Sequence, residues 1–183
     1  MRIISGDFKG RRLNAPENDK VRPTTGKVKE AMFSMLMNDV FDAVVLDLFA
    51  GTGNLGLEAI SRGARKCYFG DNSRESLKLV KENIRYCKAE DKAVVIPGSF
   101  EKVIDRVNEK VDIVLLDPPY RDGLMIKAIE RILEQDILSE DGIVVAEHHS
   151  TEKLPERIGT LKKLKEKKYG TILVNFYGKE EDE

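Results

Sequence analysis

The sequence has few of the residues that form metal centres or disulfide networks. Its 183 residues contain no tryptophan, two cysteines and two histidines. Cys67 and Cys87 lie in no metal-type cluster and are too few for a disulfide framework, so we predict that both are packing residues. His148 and His149 are adjacent on a predicted strand and would point to opposite faces, which argues against a shared metal site. No metal cofactor is expected.

Long apolar runs are also absent. No run approaches the roughly 20 residues that a membrane-spanning helix needs, and residues 1–7 lack the apolar core and cleavage site of a signal peptide. We therefore expect no membrane association and a cytoplasmic location. The length suffices for one α/β domain with a sizeable core and is too short for two full domains.

The net charge of -1 conceals an uneven distribution. Residues 1–29 contain eight basic and three acidic side chains, whereas residues 179–183 form an acidic tail. We predict a basic hairpin and connector at 1–23, one main domain at 24–178 and a tail at 179–183.

Alternating strand and helix patterns predict an α/β fold. The apolar segments predict seven strands, at 44–47, 66–70, 93–96, 111–116, 142–146, 161–165 and 171–177. Helical patterns separate the first five, which indicates a doubly wound, mostly parallel sheet. Too few residues separate the last two strands for a crossover helix, so the C-terminal strand must run antiparallel. Residues 2–13 predict a small N-terminal β-hairpin.

A glycine-rich turn follows the central strand. Asp47 ends that strand, Gly51, Gly53 and Gly56 have G-x-G-x-x-G spacing at the start of a helix, and Asp71 ends the next strand. Such a turn lets a ligand approach the backbone beside the free N–H groups of a helix N-terminus, which favours a nucleotide-like ligand. The spacing alone leaves open a nicotinamide cofactor, a flavin, S-adenosylmethionine or an empty turn.

A second motif follows the fourth strand, at Asp117-Pro118-Pro119-Tyr120. Neither proline has an N–H group, so the Asp117 carboxylate and the Pro118 carbonyl are left as acceptors at a rigid turn. Tyr120 adds an aromatic ring beside them. This arrangement suits a planar base with an exocyclic amino group, since the acceptors bind its hydrogens and the ring stacks on the base. Because parallel strands end at one edge, both motifs are predicted to face one cleft.

The two motifs together resemble those of S-adenosylmethionine-dependent methyltransferases that act on exocyclic amines of nucleic-acid bases. Four further motifs are similar to the bacterial RsmD-type family, which methylates guanine N2 in 16S ribosomal RNA of the small subunit. They are Arg2-Ile3-Ile4-x-Gly6, Lys9-Gly10-Arg11, Arg22-Pro23-Thr24-Thr25 and Glu30-x-x-Phe33. The resemblance extends from residue 2 to about residue 178, and it implies a Rossmann-like class I methyltransferase fold over 24–178.

The resemblance also implies roles for individual residues. Those implied to bind S-adenosylmethionine are Asp47, Phe49, Ala50, Gly51, Thr52, Gly53, Asp71, Asn72, Ser99 and Phe100. Among them, Asp47 and the glycine backbone would hold the methionine part, and Asp71 the ribose hydroxyls. Ser99 replaces an acid that often meets the adenine amino group, so backbone near Phe100 is an alternative contact. Those implied to hold the guanine during direct methyl transfer are Asp117, Pro118, Pro119 and Tyr120.

The basic N-terminal residues are predicted to contact RNA phosphates. They are Arg2, Lys9, Arg11, Arg12 and Arg22. The expected partner of a monomeric protein is then 16S rRNA, either free or within a small-subunit assembly particle. Lysines between 162 and 168 either extend this surface or protect a sheet edge.

Three other functions remain open. An adenine-N6 nucleic-acid methyltransferase would use the same acid, Pro-Pro and aromatic motif, although the chain has no room for a separate target-recognition region. A nicotinamide-dependent oxidoreductase would leave residues 117–120 unexplained. A cofactor-binding assembly factor would use the basic hairpin without turnover.

Overall fold

The computed structural model describes residues 1–16, 25–119 and 123–180. Within these residues, eight strands form one sheet in the order β3-β2-β1-β4-β5-β8-β7-β6. Their bounds are β1 Val44–Asp47, β2 Lys66–Asp71, β3 Ala93–Pro97, β4 Val111–Leu116, β5 Leu138–His149, β6 Arg157–Ile158, β7 Leu161–Tyr169 and β8 Ile172–Lys179. Strands β1 to β5 are parallel, and β8, β7 and β6 pair antiparallel with their neighbours.

This topology confirms the predicted doubly wound, mostly parallel fold. The sheet has eight strands rather than the predicted seven, because Arg157–Ile158 pairs with the start of β7. A strand of two residues is too short to show an alternation of apolar and polar residues in the sequence. Strand β5 begins at Leu138, four residues before its predicted start. The last two strands pair antiparallel, as predicted. Strand β7 extends to Tyr169, four residues beyond its predicted end, and Tyr169 lies opposite Ile172.

In the same described ranges, five α-helices cover the two faces of the sheet. They are α1 Gly26–Leu36, α2 Asn54–Ser61, α3 Arg74–Tyr86, α4 Phe100–Arg106 and α5 Leu124–Glu134. Thr25, Ser73 and Ser99 are the N-caps of α1, α3 and α4, and each side chain accepts a hydrogen bond from the first turn.

Two apolar layers sandwich the sheet. One joins α1, α2 and α3 to a sheet face that includes Val45, Phe69 and Val145. The other joins α4 and α5 to the opposite face, which includes Leu46 and Val114. Strand β1 is buried along its whole length because both of its faces are covered.

The N-terminal segment, which we define as residues 1–14, packs on α2. Arg2 and Arg12 form an isolated antiparallel bridge, and the Ile3 N–H donates to the Arg11 carbonyl at 3.0 Å. In place of the predicted hairpin of two strands, residues 2–12 form a single bridge that encloses turns at residues 5–10. Ile3 and Leu13 are buried in the first apolar layer, so the segment contributes to the core. The division of the chain at 23 and 178 stays a prediction.

Among the residues that the structure describes, no helix is both long enough and apolar enough to cross a bilayer. Cys67 and Cys87 are free and buried, which agrees with the prediction that both pack in the core.

Candidate active site

A cavity of about 740 Å3 opens at the carboxyl ends of β1, β2 and β4. The chain runs outward from β1 to β3 and then returns to β4, so β1 and β4 flank the point at which strand order reverses. Ligands of open α/β sheets bind at this point. The predicted site residues on the cavity wall are Asp47, Phe49, Ala50, Gly51, Thr52, Asp71, Asn72, Ser99, Phe100, Asp117, Pro118 and Pro119.

The turn after β1 is built on two glycines in the left-handed region. Gly51 has φ +58° and Gly53 has φ +84°, conformations that glycine adopts without the strain of a Cβ. The Gly53 N–H donates to the Ala50 carbonyl at 2.8 Å and closes the turn. Gly53 is the N-cap of α2 and lies beside Val80. Gly53 therefore shapes the turn from behind the cavity wall.

Asp47 holds the first turn of α2 to the end of β1. Its Oδ2 accepts from the Gly56 N–H at 3.0 Å, and the residue is 2% exposed. Burial raises the pKa of the Asp47 carboxyl to about 7, and the charges of Asp117 and Asp71 add to that increase while the Gly56 N–H opposes it. A carboxyl group whose pKa is raised to this extent on a cavity wall is characteristic of a functional site.

Asp71 lies at the end of β2 and organises the next part of the wall. Its Oδ2 accepts from the Gly51 N–H and its Oδ1 from the Ser73 N–H, both at 2.9 Å. Each oxygen has a second lone pair for a ligand hydroxyl. The carboxylate thus joins the glycine turn to the start of α3 and remains able to bind a ribose.

Two aromatic rings form the wall near α4. The ring centroids of Phe49 and Phe100 lie 6.2 Å apart with their planes at 46°, and both residues face the cavity. Ser99 also lines it, but its hydroxyl caps α4 by accepting from the Lys102 N–H at 3.4 Å. A purine would find apolar surface here, and the Ser99 contact with adenine stays a prediction.

The second motif lies on the same cavity. Asp117, Pro118 and Pro119 follow β4 directly and line the wall with Asp47. The negative charge of Asp117 adds to the raised pKa of Asp47, because like charges on one cavity wall disfavour each other. Tyr120 lies outside the described residues. The expectation that both motifs face one cleft therefore holds for residues 117–119.

Comparison with known proteins identifies the family to which this protein belongs. A family model described as conserved hypothetical protein 95 matches residues 1–178. A candidate rRNA methyltransferase of Bacillus subtilis is 37% identical over 98% of this chain and 99% of its own. The ribosomal RNA small subunit methyltransferase D of Escherichia coli is 31% identical over 98% of this chain and 90% of its own. The chain belongs to the methyltransferase D family.

A solved structure agrees with this result. A candidate methyltransferase from Escherichia coli is 30% identical, aligns with a TM-score of 0.88 and covers 98% of each chain. The Rossmann-like fold predicted from the sequence is thus the fold of the methyltransferase D family.

In this member of the family, the basic residues predicted to contact RNA differ from one another in exposure and in bonding partners. Arg2 and Arg12 are exposed beside each other through their bridge, and Lys9 is exposed on the turns between them. Arg11 instead lies over the Phe8 ring at 5.1 Å and donates to the Cys87 carbonyl at 3.1 Å. Arg22 lies outside the described residues. Arg2, Lys9 and Arg12 remain the better placed candidates.

Sequence reasoning missed several residues on or near the cavity wall. Asn54, Met1 and Pro16 line it. Asn83 and Lys29 are buried behind it, and both occupy helical positions that carry no motif. Their partners are distant in sequence, so no local pattern could have found them.

Proposed function

We propose that this protein transfers the methyl group of S-adenosylmethionine to the exocyclic N2 of a guanine in 16S rRNA of the small ribosomal subunit. One observation carries the proposal. In a fold of the methyltransferase D family, the glycine turn after β1 and the Asp-Pro-Pro turn after β4 share one cavity of about 740 Å3. That volume accommodates a nucleoside-sized cofactor beside a base.

The cofactor fits the wall that residues 47–100 build. The three carboxyl groups of Asp47, Asp71 and Asp117 make the cavity electronegative, which suits the positive charges of the sulfonium and the α-ammonium group. Asp47 and the glycine turn would hold the methionine part, Asp71 the ribose hydroxyls, and the Phe49 and Phe100 rings the adenine. S-adenosylmethionine supplies the electrophilic methyl group in this proposal.

The target base would occupy the part of the cavity near residues 117–119. The Asp117 carboxylate and the Pro118 carbonyl would accept the two N2 hydrogens, which directs the nitrogen lone pair at the methyl carbon. The N–CH3 bond would form as the S–CH3 bond breaks, S-adenosylhomocysteine would leave, and the proton lost from N2 would pass to solvent. Alignment of the two substrates would supply most of the rate enhancement. Stacking by Tyr120 remains part of the proposal from the sequence.

The exposed Arg2, Lys9 and Arg12 would bind RNA phosphates and so present the guanine to the cavity. The names of the relatives support ribosomal RNA as the substrate class. We propose that a monomer acts on 16S rRNA, either free or within an assembly particle.

The test follows a labelled methyl group. S-adenosylmethionine with a labelled methyl is incubated with the protein and with small-subunit particles from cells that lack it, and the nucleosides are analysed. We expect label in N2-methylguanosine. Label in N6-methyladenosine would overturn the guanine assignment, and no label on particles, free RNA or DNA would favour an assembly factor without turnover. Binding of NADH would favour the oxidoreductase.

A variant pair tests the role of Asp117. Asp117→Asn retains the shape of the side chain but weakens the acceptor for the base amine, so we expect at least a 100-fold loss of kcat for methylation. The loss of cofactor affinity should be much smaller, because Asp47 and Asp71 remain in the cavity. Asp141→Asn, an exposed carboxyl on β5, is the matched control and should leave the rate unchanged. Equal rates for both variants would show that Asp117 has no part in the reaction.

A further inference from the structure

Asn83 of α3 connects the glycine turn to the N-terminal segment. It is 0% exposed. Its Nδ2 donates to the Thr52 carbonyl at 2.8 Å and to the Asn14 carbonyl at 3.0 Å, and its Oδ1 accepts from the Asn14 N–H at 2.8 Å. A flipped amide would set its oxygen against two carbonyl oxygens, so these bonds also determine its orientation.

A buried ion pair makes a second connection beside the first. The Lys29 Nζ donates to the Arg2 carbonyl at 2.6 Å and to Asn54 Oδ1 at 2.8 Å, and it lies 3.0 Å from Glu58 Oε1. Glu58 in turn accepts from the Ile4 N–H at 2.8 Å. Asn54 follows the glycine turn directly, so both sides of Gly53 are tied to the N-terminal segment.

The N-terminal segment also reaches the cavity itself. Met1 lies on the cavity wall, and its Sδ accepts from the Thr52 hydroxyl at 3.4 Å. The polypeptide that presents Arg2, Lys9 and Arg12 to solvent is therefore part of the wall where the cofactor is proposed to bind.

The glycine turn needs this support from outside. Gly51 and Gly53 have no Cβ and can adopt many backbone conformations, so their own residues do not specify the shape of the turn. The Thr52 carbonyl lies between them, and Asn83 is its buried donor. Without that donor, a buried carbonyl would lose its partner, and the turn could relax towards solvent or another conformation.

We infer that Asn83 is a positioning residue for the cofactor, which fixes the Gly51–Gly53 turn against Asn14 at the end of the N-terminal segment. The inference rests on the proposed binding of S-adenosylmethionine. It assigns to the basic segment a role in cofactor binding in addition to its role in RNA contact.

The first test compares two buried residues that both hold the N-terminal segment. Asn83→Ala removes the bonds to the turn and to Asn14. Ser61→Ala is the matched control, because the Ser61 hydroxyl accepts from the Phe8 N–H at 2.9 Å and donates to the Ser5 carbonyl at 2.6 Å, at the other end of α2. Ser61 therefore holds the segment without touching the turn.

We expect both variants to unfold at lower temperature than the wild type. Calorimetry should show that Asn83→Ala binds S-adenosylhomocysteine about tenfold more weakly, with a matching rise in KM for the cofactor and a smaller change in kcat. Ser61→Ala should bind within twofold of the wild type. Equal affinity losses in both variants, or none in either, would overturn the inference while leaving the proposed function intact.

A second measurement needs no variant and covers the case in which Asn83→Ala does not fold. Amide hydrogen exchange of the wild type is followed with and without S-adenosylhomocysteine. The Asn14 N–H, bonded to Asn83, should exchange at least fivefold more slowly with the ligand, whereas the Phe8 N–H should not change. Unchanged exchange at Asn14 in a protein that binds the ligand would refute the coupling. A wild type that does not bind the ligand would refute the proposed function as well.

Discussion

At the scale of single residues, Asp47 shows how burial tunes the candidate site. The carboxyl is almost fully buried at the end of β1, and its pKa is raised to about 7 mainly by desolvation. Its unfolded-state pKa is close to the ordinary value of 3.8. The folded protein therefore binds more protons than the unfolded chain between these two values, and the Asp47 contribution to stability falls as pH rises from about 4 to 7.

Asp47→Asn should remove this contribution to the pH dependence. Above pH 7 the ionised Asp47 carboxylate destabilises the ligand-free protein. At pH 8 the free energy of unfolding of Asp47→Asn should therefore exceed that of the wild type by up to about 4 kcal/mol. The difference should shrink towards pH 4. Urea unfolding of both proteins across this range measures it, and a difference independent of pH would contradict the raised pKa.

Cofactor affinity should also depend on the ionisation of Asp47, but it should rise with pH where the stability contribution falls. A cationic ligand favours ionised Asp47, so below pH 7 binding should release a proton and affinity should increase with pH, by up to tenfold per unit. Calorimetry in two buffers of different ionisation enthalpy measures the released proton. Asp47→Asn should abolish this proton release and bind the cofactor weakly. Release that persists in the variant would assign the proton to another group.

At the scale of elements, Gly56 sets how closely α2 approaches β2. A Cβ at this position would overlap the Phe69 ring and lie 2.8 Å from Cys67 Sγ. The third glycine of the G-x-G-x-x-G spacing thus serves helix-to-strand packing in this protein.

Gly56→Ala should overpack this contact and lower the free energy of unfolding by about 1–3 kcal/mol. Gly26→Ala is the matched control, since nothing lies within 4 Å of a Cβ there and Gly26 begins a helix. The control should be neutral or slightly stabilising. Denaturant unfolding measures the stability of both variants. Equal stabilities would show that α2 can move away from β2 without loss of stability.

The ion pair between α1 and α2 is the second element-scale feature. Lys29 and Glu58 are 1% and 0% exposed, and burial lowers the pKa of Lys29 against the opposing effect of Glu58. Lys29→Met would leave the buried Glu58 carboxylate with Arg62, 3.1 Å away, as its remaining cation, and should cost about 1–3 kcal/mol. The exposed Lys27→Met should cost little. Thermal and urea unfolding measure both variants. A change in the free energy of unfolding of Lys29→Met below about 1 kcal/mol would contradict a stabilising role of Lys29.

At the scale of the whole molecule, the net charge of -1 gives no indication of where a polyanion would bind. The basic surface formed by Arg2, Lys9 and Arg12 lies on the N-terminal segment, on the helical layer that includes α2. Glu180 at the other end forms ion pairs with Arg157 and Lys162.

Arg2→Ala/Arg12→Ala should weaken RNA binding and reduce its dependence on salt. Loss of two phosphate contacts should lower the slope of log K against log salt by about one to two, with cofactor affinity unchanged. Arg106→Ala/Lys110→Ala, near the amino ends of the strands, is the control pair. Titrations of 16S rRNA fragments at several salt concentrations measure the slope. Identical slopes for both pairs of variants would show that Arg2 and Arg12 do not contact RNA phosphates.

Most of the fold could be predicted from the sequence because its signals are local. Strand β4 has the bounds that the sequence predicts, 111–116, because it is a short run of mostly apolar residues. The hairpin of β7 and β8 followed from a short connection. The two-residue strand β6 could not be predicted, because it exists only through its pairing with β7.

The sequence by itself determined the family, the order of strands and helices and the two motifs at the ends of β1 and β4. Each motif and each element depends on residues within one short segment, and the family follows from six such motifs between residues 2 and 178. Only the tertiary structure decided that Asn83 holds both Thr52 and Asn14, that Lys29 joins Arg2 to Asn54 and Glu58, and that Arg11 is engaged by Phe8 and Cys87. These contacts join residues 25 or more positions apart in most cases, and such partners meet only after the apolar faces of the helices have packed on the sheet.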